Sequence, residues 1–254
     1  MKITIIGSGT CVPSLKRSSC SALIEVSQVL LLFDSGAGTM RRLLEAGVSI
    51  HQLSYIFYSH LHPDHTGELI PFLFATKYPE AYRRRKPFTI VAARGFVNFY
   101  ETLKDAYGEW IELAPGLLNI SELDTTGRGH LDCGIFDVDS LPMNHTQMSL
   151  AYRVTASDGK SVVYSGDTDV CDNLVTLATG ADVLICEAAM PDAMKVDGHL
   201  TPSLAGGVAA RAGVKKLVLT HFYPECDAVD VAKECRKAYQ GPLVIAEDLM
   251  EIAV

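Results

Sequence analysis

Residues 58–65 of this chain read YSHLHPDH and follow directly on the apolar run LSYIF at residues 53–57. The chain contains eight histidines, and three of them lie in this short segment together with an aspartate. The apolar run has the composition of a buried strand, so the polar cluster begins where that strand is predicted to end. Side chains in such a position are available to bind a ligand at the edge of a sheet.

The spacing within the cluster predicts a site for two metal ions. His60 and His62 alternate by two at the end of an extended segment, so their side chains face the same side. Pro63 favours an extended approach followed by a turn, which separates this pair from Asp64 and His65 at the opening of the next predicted helix. One pair can therefore serve each of two metals. Imidazole and carboxylate ligands without thiolate suit Zn²⁺, Mn²⁺ or iron, and these residues do not choose among them.

Polar side chains recur directly after other apolar runs. The five positions of this kind are Asp34, His60, Asp167, Glu187 and His221. Residues at the ends of strands converge on one edge of a layered α/β fold, where ligands usually bind. Capping or surface exposure explains a single histidine of this kind but not the repeated pattern. His51 and His130 lie outside such motifs, and we predict that both are surface residues.

Composition and charge are those of an ordinary globular protein. Of the 254 residues, 48% are apolar and 20% are charged, which is unlike a disordered chain. No apolar segment approaches the roughly 18 residues needed to span a bilayer, so we expect a cytoplasmic protein with no membrane partner. The seven cysteines form no C-x-x-C pair, which argues against disulfides and against a thiolate zinc site.

The net charge of −8 argues against a surface coated with basic residues for nucleic acid, but it leaves room for a local basic patch. Such a patch is Arg83-Arg84-Arg85-Lys86, close to Tyr78 and Tyr82. Two interpretations stay open for it: a solvated loop between a helix and a strand, or a rim that contacts phosphate groups. The pair Lys16 and Arg17 has the same two interpretations.

Strand-like and helix-like segments alternate along the whole chain. Runs rich in Ile, Val, Leu and aromatic residues predict strands at 1–7, 21–34, 53–60, 87–93, 133–142, 149–156, 161–167, 182–188, 215–221 and 243–253. The spacing of apolar residues predicts helices at 38–48, 64–78, 95–108, 172–180, 201–214 and 227–241. Thr201 followed by Pro202 marks the start of one helix. The two halves, about 1–125 and 126–254, have similar make-up, which predicts a single domain with two sheets packed face to face and helices outside.

These motifs resemble, in order and over essentially the whole chain, those of the metallo-β-lactamase superfamily. The motifs are His60-Leu-His-Pro-Asp-His65, a later lone His145, Ser165-Gly-Asp-Thr168 and Thr220-His-Phe222. The resemblance implies an α/β fold, a four-layer αβ/βα sandwich, with two divalent metal ions, Zn²⁺ being the first choice and Mn²⁺ or iron the alternatives. It implies that the first metal is held by His60, His62, His145 and Asp167. The second metal would be held by Asp64, His65, Asp167 and His221. Asp34 would lie beneath the metal loop and hydrogen-bond its backbone.

More local signals resemble the ribonuclease Z branch of that superfamily. The opening GSGTCVPSLKRSSCSALIEV at residues 7–26 is similar to the start of those enzymes, and Cys186-Glu-Ala-Ala189 and His199-Leu-Thr201 correspond to two of their loops. Acyl-hydrolysing members typically have Pro-Gly-His-Thr-Pro-Gly where this chain has Pro142-Met-Asn-His-Thr-Gln147. One feature departs from the branch: its long tRNA-binding arm does not fit into residues 146–166, which speaks against pre-tRNA as the substrate.

The resemblance implies hydrolysis at phosphorus. Two metals can hold a hydroxide between them and stabilise the oxygens of an in-line displacement. Asp64 would orient the hydroxide. His199, held by Glu187, would either protonate the leaving oxygen or stabilise charge on the phosphorane. The predicted function is a phosphodiesterase that acts on a small phosphodiester or an RNA 3′ end. An acyl, thioester or lactone hydrolase on the same dinuclear site is the alternative, and a non-catalytic binding protein is disfavoured by the intact ligand set.

Members of the ribonuclease Z branch commonly form homodimers through the helix that follows the metal loop. In this chain the segment 64–78 has more apolar residues than one helix face needs. We therefore expect a homodimer.

Overall fold

The computed structural model describes residues 1–254, with fourteen strands and seven α-helices. The strands are β1 (Lys2–Gly7), β2 (Ser21–Val26), β3 (Val29–Phe33), β4 (Leu53–Phe57), β5 (Phe88–Ala93), β6 (Leu118–Leu123), β7 (Gly129–Asp132), β8 (Phe136–Pro142), β9 (Leu150–Ala156), β10 (Ser161–Tyr164), β11 (Val183–Glu187), β12 (Leu217–Thr220), β13 (Leu243–Ile245) and β14 (Glu251–Ala253). The helices are α1 (Thr39–Glu45), α2 (Pro63–Thr66), α3 (Leu69–Lys77), α4 (Phe96–Tyr107), α5 (Asp172–Ala178), α6 (Pro202–Ala212) and α7 (Val231–Cys235). None of these helices has both the length and the apolar character that crossing a membrane requires.

The strands form two seven-stranded mixed sheets. In the first sheet the order is β14-β1-β2-β3-β4-β5-β6, and β3 to β6 run parallel. In the second sheet the order is β13-β12-β11-β10-β9-β8-β7, and β10 to β13 run parallel. The last strand, β14, returns to the first sheet and pairs with β1. Each sheet therefore has a run of parallel strands whose carboxyl ends share one edge.

Three apolar cores separate the layers. The central core lies between the sheets and joins Phe33 and Phe57 of the first sheet to Tyr152 and Ile185 of the second. Of the two outer cores, one packs α1, α3 and α4 against the first sheet and the other packs α5, α6 and α7 against the second. Ile56 faces the helices while its neighbour Phe57 faces the central core, as a strand buried on both faces requires. The structure confirms the predicted four-layer αβ/βα sandwich.

Several predicted strand boundaries were wrong where the chain turns or changes sheet. The segment 21–34 is a hairpin of β2 and β3, with Ser27 and Gln28 in the left-handed region at its turn. The segment 243–253 is divided between β13 in the second sheet and β14 in the first. Strand β6 was missed because its apolar and polar residues alternate only weakly. Strand β7 was missed because it is only four residues long.

Two predicted helices are shorter than expected. The segment 64–78 forms α2 and α3 with a break between them, because the Glu68 N–H donates to the Ser35 carbonyl oxygen at 2.9 Å instead of to the preceding helical turn. In the segment 227–241 only α7 is α-helical, and the rest forms a 3₁₀ turn and irregular turns. His130 is exposed as predicted, whereas His51 is half-buried and its Nδ1 atom is fully buried.

Candidate metal centre

The loop after β4 is fixed from below by Asp34, which is completely buried at the end of β3. Its Oδ1 atom accepts a hydrogen bond from the Ser59 N–H at 2.7 Å. Its Oδ2 atom accepts from the Ser59 hydroxyl at 2.7 Å, from the Tyr164 hydroxyl at 2.7 Å and from His65 Nδ1 at 2.8 Å. Asp34 thus lies beneath the loop, as expected. Because His65 donates its Nδ1 proton to a carboxylate, its Nε2 lone pair is left free for a ligand.

A second histidine has its tautomer fixed by the backbone. His145 Nδ1 lies 2.9 Å from the Gly198 carbonyl oxygen, which can only accept, so this nitrogen carries the proton. His145 Nε2 is then unprotonated, and it lies 3.2 Å from His62 Nδ1 at the exposed mouth of the site. No sequence motif predicts the pairing with Gly198, because that residue is more than fifty positions away.

The structure brings all seven predicted ligands together in overlapping groups. The candidate ligand atoms of each group lie within 4.8 Å of one another, and the groups are His60, His62, His145 and Asp167; Asp64, His65 and His221; and Asp167, His199 and His221. Asp167, a member of the first group, also lies close to the histidines of the second group. Its Oδ2 atom is 3.3 Å from His65 Nε2 and 3.7 Å from His60 Nε2, and its Oδ1 atom is 3.3 Å from His221 Nε2.

The residues of this site fit two divalent metal ions. Five of their side-chain atoms are buried without a hydrogen-bond partner: His60 Nε2, His65 Nε2, Asp167 Oδ1, His221 Nδ1 and His221 Nε2. Buried polar atoms are almost always paired because leaving one unpaired costs about 1–3 kcal/mol. Four of these five atoms point into the space that the ligand groups share, where a cation would pair with them. The donor set, imidazole and carboxylate, is one that zinc, manganese and iron accept.

The electrostatics of the cluster favour a neutral imidazole at His60 and ionised carboxylates at Asp64 and Asp167. Burial, which disfavours the charged form, holds the pKa of His60 well below its usual range. Burial works against charge on Asp64 and Asp167, but the surrounding histidines outweigh it. The pKa of Asp64 falls to about 2, and that of Asp167 lies well below its usual range. Both carboxylates are therefore ionised at neutral pH, as metal ligands must be.

His199 is held beside this cluster by a buried carboxylate. Its Nδ1 atom lies 3.1 Å from Glu187 Oε1 and 3.9 Å from Asp167 Oδ2. Glu187 also accepts hydrogen bonds from the N–H groups of Thr168 at 2.7 Å and Leu200 at 3.1 Å, which orient the carboxylate. Burial alone would lower the pKa of His199, but the hydrogen bond and charge of Glu187 outweigh it, so the pKa is raised. The Nε2 atom of His199 is the nitrogen left to carry a proton towards a substrate.

Sequence reasoning missed two residues that hold this site together. Tyr164, at the end of β10, supports Asp34 from the second sheet. Asp169 accepts hydrogen bonds from the Gly198 N–H at 3.0 Å and from Lys195 Nζ at 2.8 Å, and so anchors the loop that leads to His199. Asp169 follows two residues after Asp167, and that proximity is the only signal that could have identified it.

Lys16 and Arg17 do not face the metal cluster. The Arg17 guanidinium donates to the Ser8 hydroxyl and the Ala246 carbonyl oxygen, both at 2.8 Å, and lies over the Phe222 ring. Lys16 lies 3.7 Å from Asp227 at the surface. Arg17 therefore packs the N-terminal loop against the second sheet.

Comparison with known proteins places these observations in a family. Residues 31–222 match the family model described as "Beta-lactamase superfamily domain". A ribonuclease Z of Mycobacterium bovis is 30% identical over 283 aligned positions that cover 100% of this chain and 98% of that protein. The alignment is longer than the 254 residues of this chain, so that relative has additional segments.

Two solved structures share the architecture. Human tRNase Z, short form, is 26% identical, has a TM-score of 0.80 and is matched over 100% of this chain and 99% of that one. The metallo-β-lactamase fold protein YhfI of Bacillus subtilis is 23% identical, has a TM-score of 0.83 and is matched over 99% of this chain and 98% of that one.

The two-sheet fold and its clustered histidines and carboxylates define a metal-dependent hydrolase. The chain belongs to the β-lactamase superfamily and, within it, to the ribonuclease Z-like branch.

Proposed function

We propose that this protein is a two-metal phosphodiesterase. The observation that carries the proposal is the buried Glu187–His199 pair, which places an imidazole with a raised pKa beside a complete set of seven metal-ligand candidates. A phosphodiester with an alkoxide leaving group gains from a proton donor at this point, whereas a thioester expels a thiolate, which departs without one. The similarity to ribonuclease Z and to human tRNase Z, short form, supports the same reaction class.

In this proposal His60, His62, His145 and Asp167 would hold the first metal. Asp64, His65, Asp167 and His221 would hold the second. We propose Zn²⁺ for both positions, with Mn²⁺ or iron as the alternatives. Bound divalent metals supply Lewis-acid stabilisation of phosphoryl oxygens and lower the pKa of water at the site.

The other groups of the site orient the reactants and move a proton. Asp64, ionised and partly exposed, orients the attacking water with its free lone pairs. His199 donates its Nε2 proton to the leaving oxygen. Glu187 fixes the His199 ring and keeps its proton bound at neutral pH. Asp34 and Gly198 take no part in proton transfer but hold the tautomers of His65 and His145.

The proposed substrate is a small phosphodiester or the 3′ end of an RNA. Between His145 and Asp167 the chain forms only β9, a tight turn and β10, which leaves no inserted arm there. The aligned ribonuclease Z is longer than this chain, and this chain has no insertion between β9 and β10. Both observations support a substrate smaller than a whole pre-tRNA.

We also propose that the protein is a cytoplasmic homodimer. All seven cysteines are unpaired, which suits a reducing compartment. Of the apolar residues on α3, Leu69, Phe72 and Leu73 are buried in the protein's own core, so they do not form an interface. Phe74 is 44% exposed, and its ring contacts those of Tyr78 and Trp110 with centroids 5.2 Å and 6.2 Å away. This exposed aromatic cluster is the surface that we expect a second copy to cover.

The reaction class is tested by comparing substrates on the metal-loaded protein. We expect turnover of bis(p-nitrophenyl) phosphate and of alkyl phosphodiesters, and little turnover of a lactone or a thioester. Pre-tRNA is included in parallel as the third substrate class. A protein that cleaves lactones far faster than any diester would replace this proposal with the acyl-hydrolase alternative.

A further inference from the structure

A basic cleft lies at the opposite end of the first sheet from the metal centre. It has a volume of about 650 Å³, and its lining includes His51, Gln52, Tyr82, Arg83, Arg85 and Lys86. The cleft is located where β4 and β5 begin, whereas the metal loops follow the ends of the strands. Since β4 has five residues, the two sites are separated by at least about 16 Å at roughly 3.3 Å per residue. The cleft is therefore a separate site.

One residue of the basic loop is structural. Arg84 is only 3% exposed, and its guanidinium donates to the carbonyl oxygens of Ile50 at 2.9 Å and Lys86 at 2.7 Å as well as to that of Leu53. It also lies over the Phe88 ring, 4.4 Å from the centroid. Arg84 thus anchors the loop to β4 and β5 and fixes the positions of the exposed basic residues on either side of it.

Those exposed residues have little to neutralise them. Arg85 and Lys86 form no side-chain hydrogen bond or ion pair, and Arg83 pairs with Glu80 at 2.8 Å at the edge of the loop. No aspartate or glutamate lines the cleft, although acidic residues outnumber basic ones in the chain by 30 to 22. His51 adds an Nδ1 atom that is buried and has no hydrogen-bond partner. Charge complementarity calls for an anionic ligand.

The cleft also offers a surface on which a base can stack. The Tyr82 ring is 71% exposed and packs against no other aromatic side chain of the protein. Large exposed aromatic rings beside unpaired cations are typical of sites for single-stranded nucleic acid, where bases stack on the ring and phosphates contact the cations. Gln28 and Gln52 in the same lining supply neutral donors for phosphate or base oxygens.

We propose that the basic cleft binds single-stranded RNA and acts as a binding site for the substrate away from the metal centre. In this proposal Arg85 and Lys86 contact phosphates, Tyr82 stacks on a base, and Arg84 holds the loop in place. The choice of RNA rests on the proposed function, because a phosphodiesterase with no inserted arm needs another surface to retain a polymeric substrate. The anionic character of the ligand follows from the cleft alone.

The test measures binding of a fluorescein-labelled oligouridylate with phosphorothioate linkages, which slow hydrolysis, by anisotropy at several salt concentrations. The metal-loaded protein is compared with the double variant Arg85→Ala/Lys86→Ala. A matched control, Lys215→Ala/Lys216→Ala, removes two positive charges from an adjacent pair in the loop that precedes β12. Tyr82→Ala is included to test stacking.

We expect the cleft double variant to bind the oligomer about tenfold or more weakly at low salt. Its salt slope should fall by about 1.4, since each phosphate that is no longer neutralised accounts for roughly 0.7. Tyr82→Ala should weaken binding with an unchanged salt slope, by about the free energy of stacking one base. The control should bind within about twofold of the unmodified protein. Equal binding by the cleft variant and the control would overturn the proposal.

Two further outcomes separate this proposal from others. If UMP displaces the oligomer at comparable concentration, the cleft is a mononucleotide site and the RNA assignment is wrong. Turnover of bis(p-nitrophenyl) phosphate, which is too small to reach the cleft, should be the same in all of these variants. If that turnover is absent from the unmodified protein, the proposed function fails independently of the binding result.

Discussion

At the scale of single residues, this site depends on which nitrogen of each histidine carries the proton. Asp34 and the Gly198 carbonyl fix that choice for His65 and His145 by accepting their Nδ1 protons. Glu187 does the same for His199. The sequence indicated the candidate ligands but not Gly198, because the candidate ligands occur in short local motifs whereas a backbone carbonyl has no identity in the sequence.

Asp34→Asn tests the support beneath the metal loop. An asparagine has the same shape, but its NH2 group must face either the Ser59 N–H or the three donors on Oδ2, so at least one hydrogen bond beneath the loop is lost, together with the negative charge that pairs with His65. We expect metal affinity to fall roughly 10- to 100-fold, measured by competition with a chromogenic chelator. Asp172→Asn, at the exposed start of α5, is the matched control and should leave the affinity unchanged. An unchanged affinity in Asp34→Asn would show that the loop holds its geometry without this carboxylate.

His199→Ala separates proton donation from metal binding. The variant should keep both metals and its fold, yet lose about two orders of magnitude or more against a diester with an alkoxide leaving group. A p-nitrophenolate leaving group departs without a proton, so the loss against bis(p-nitrophenyl) phosphate should be much smaller. Steady-state rates on the two substrates, with metal content measured in parallel, give the comparison. If His199→Ala hydrolyses alkyl diesters at the rate of the unmodified protein, His199 is not the proton donor.

At the scale of elements, the local pattern predicted the strand-loop-helix unit around residues 53–66 well. The pattern failed where partners are distant in sequence. The segment 243–253 looks like one strand, but Asp248 between its halves accepts hydrogen bonds from the N–H groups of Ser8 and Ser18, and the chain passes there from one sheet to the other. No local pattern reveals that crossing, because the bonds that enforce it span more than two hundred residues.

Gly36 marks the closest approach between two elements of the site. A Cβ atom at this position would lie 1.9 Å from the Asp64 carbonyl oxygen, which is backbone and cannot rotate away. Gly36→Ala should therefore displace the metal loop and destabilise the protein by about 1–3 kcal/mol or more. Gly207→Ala within α6, where nothing lies within 4 Å of the added carbon, should stabilise by roughly 0.5–1 kcal/mol. Chemical denaturation gives the free energy of unfolding of both variants, which should fall for Gly36→Ala and rise for Gly207→Ala. The same change in both variants would contradict the close approach at Gly36.

At the scale of the whole molecule, the metal centre joins the two sheets. His60, His62, Asp64 and His65 follow a strand of the first sheet, whereas His145, Asp167 and His221 follow strands of the second. We infer that the halves 1–125 and 126–254 fold as one domain, because the central core and the site both draw on each of them. The fold was predictable from the motifs, whereas the exposed aromatic cluster became visible only when packing showed which α3 residues are buried.

The homodimer is tested by the mass of the protein in solution. Sedimentation equilibrium at micromolar concentration should give a mass near twice the 27.5 kDa of one chain. Phe74→Glu should shift the protein to monomer, because it places a charge in the exposed aromatic cluster. Leu44→Glu changes an exposed apolar residue on α1 in the same way and should leave the dimer intact. A mass of one chain for the unmodified protein would end the dimer proposal.

The central claim, a hydrolase that needs two metals held by these seven residues, is tested most directly by metal titration of the chelator-treated protein. Zn²⁺ is added in known equivalents per chain, and hydrolysis of bis(p-nitrophenyl) phosphate is recorded at each step. We predict no activity without metal and a rise that levels off at two equivalents, while His62→Ala binds at least one equivalent fewer. Full activity in metal-free protein, or a plateau at one equivalent, would contradict the account.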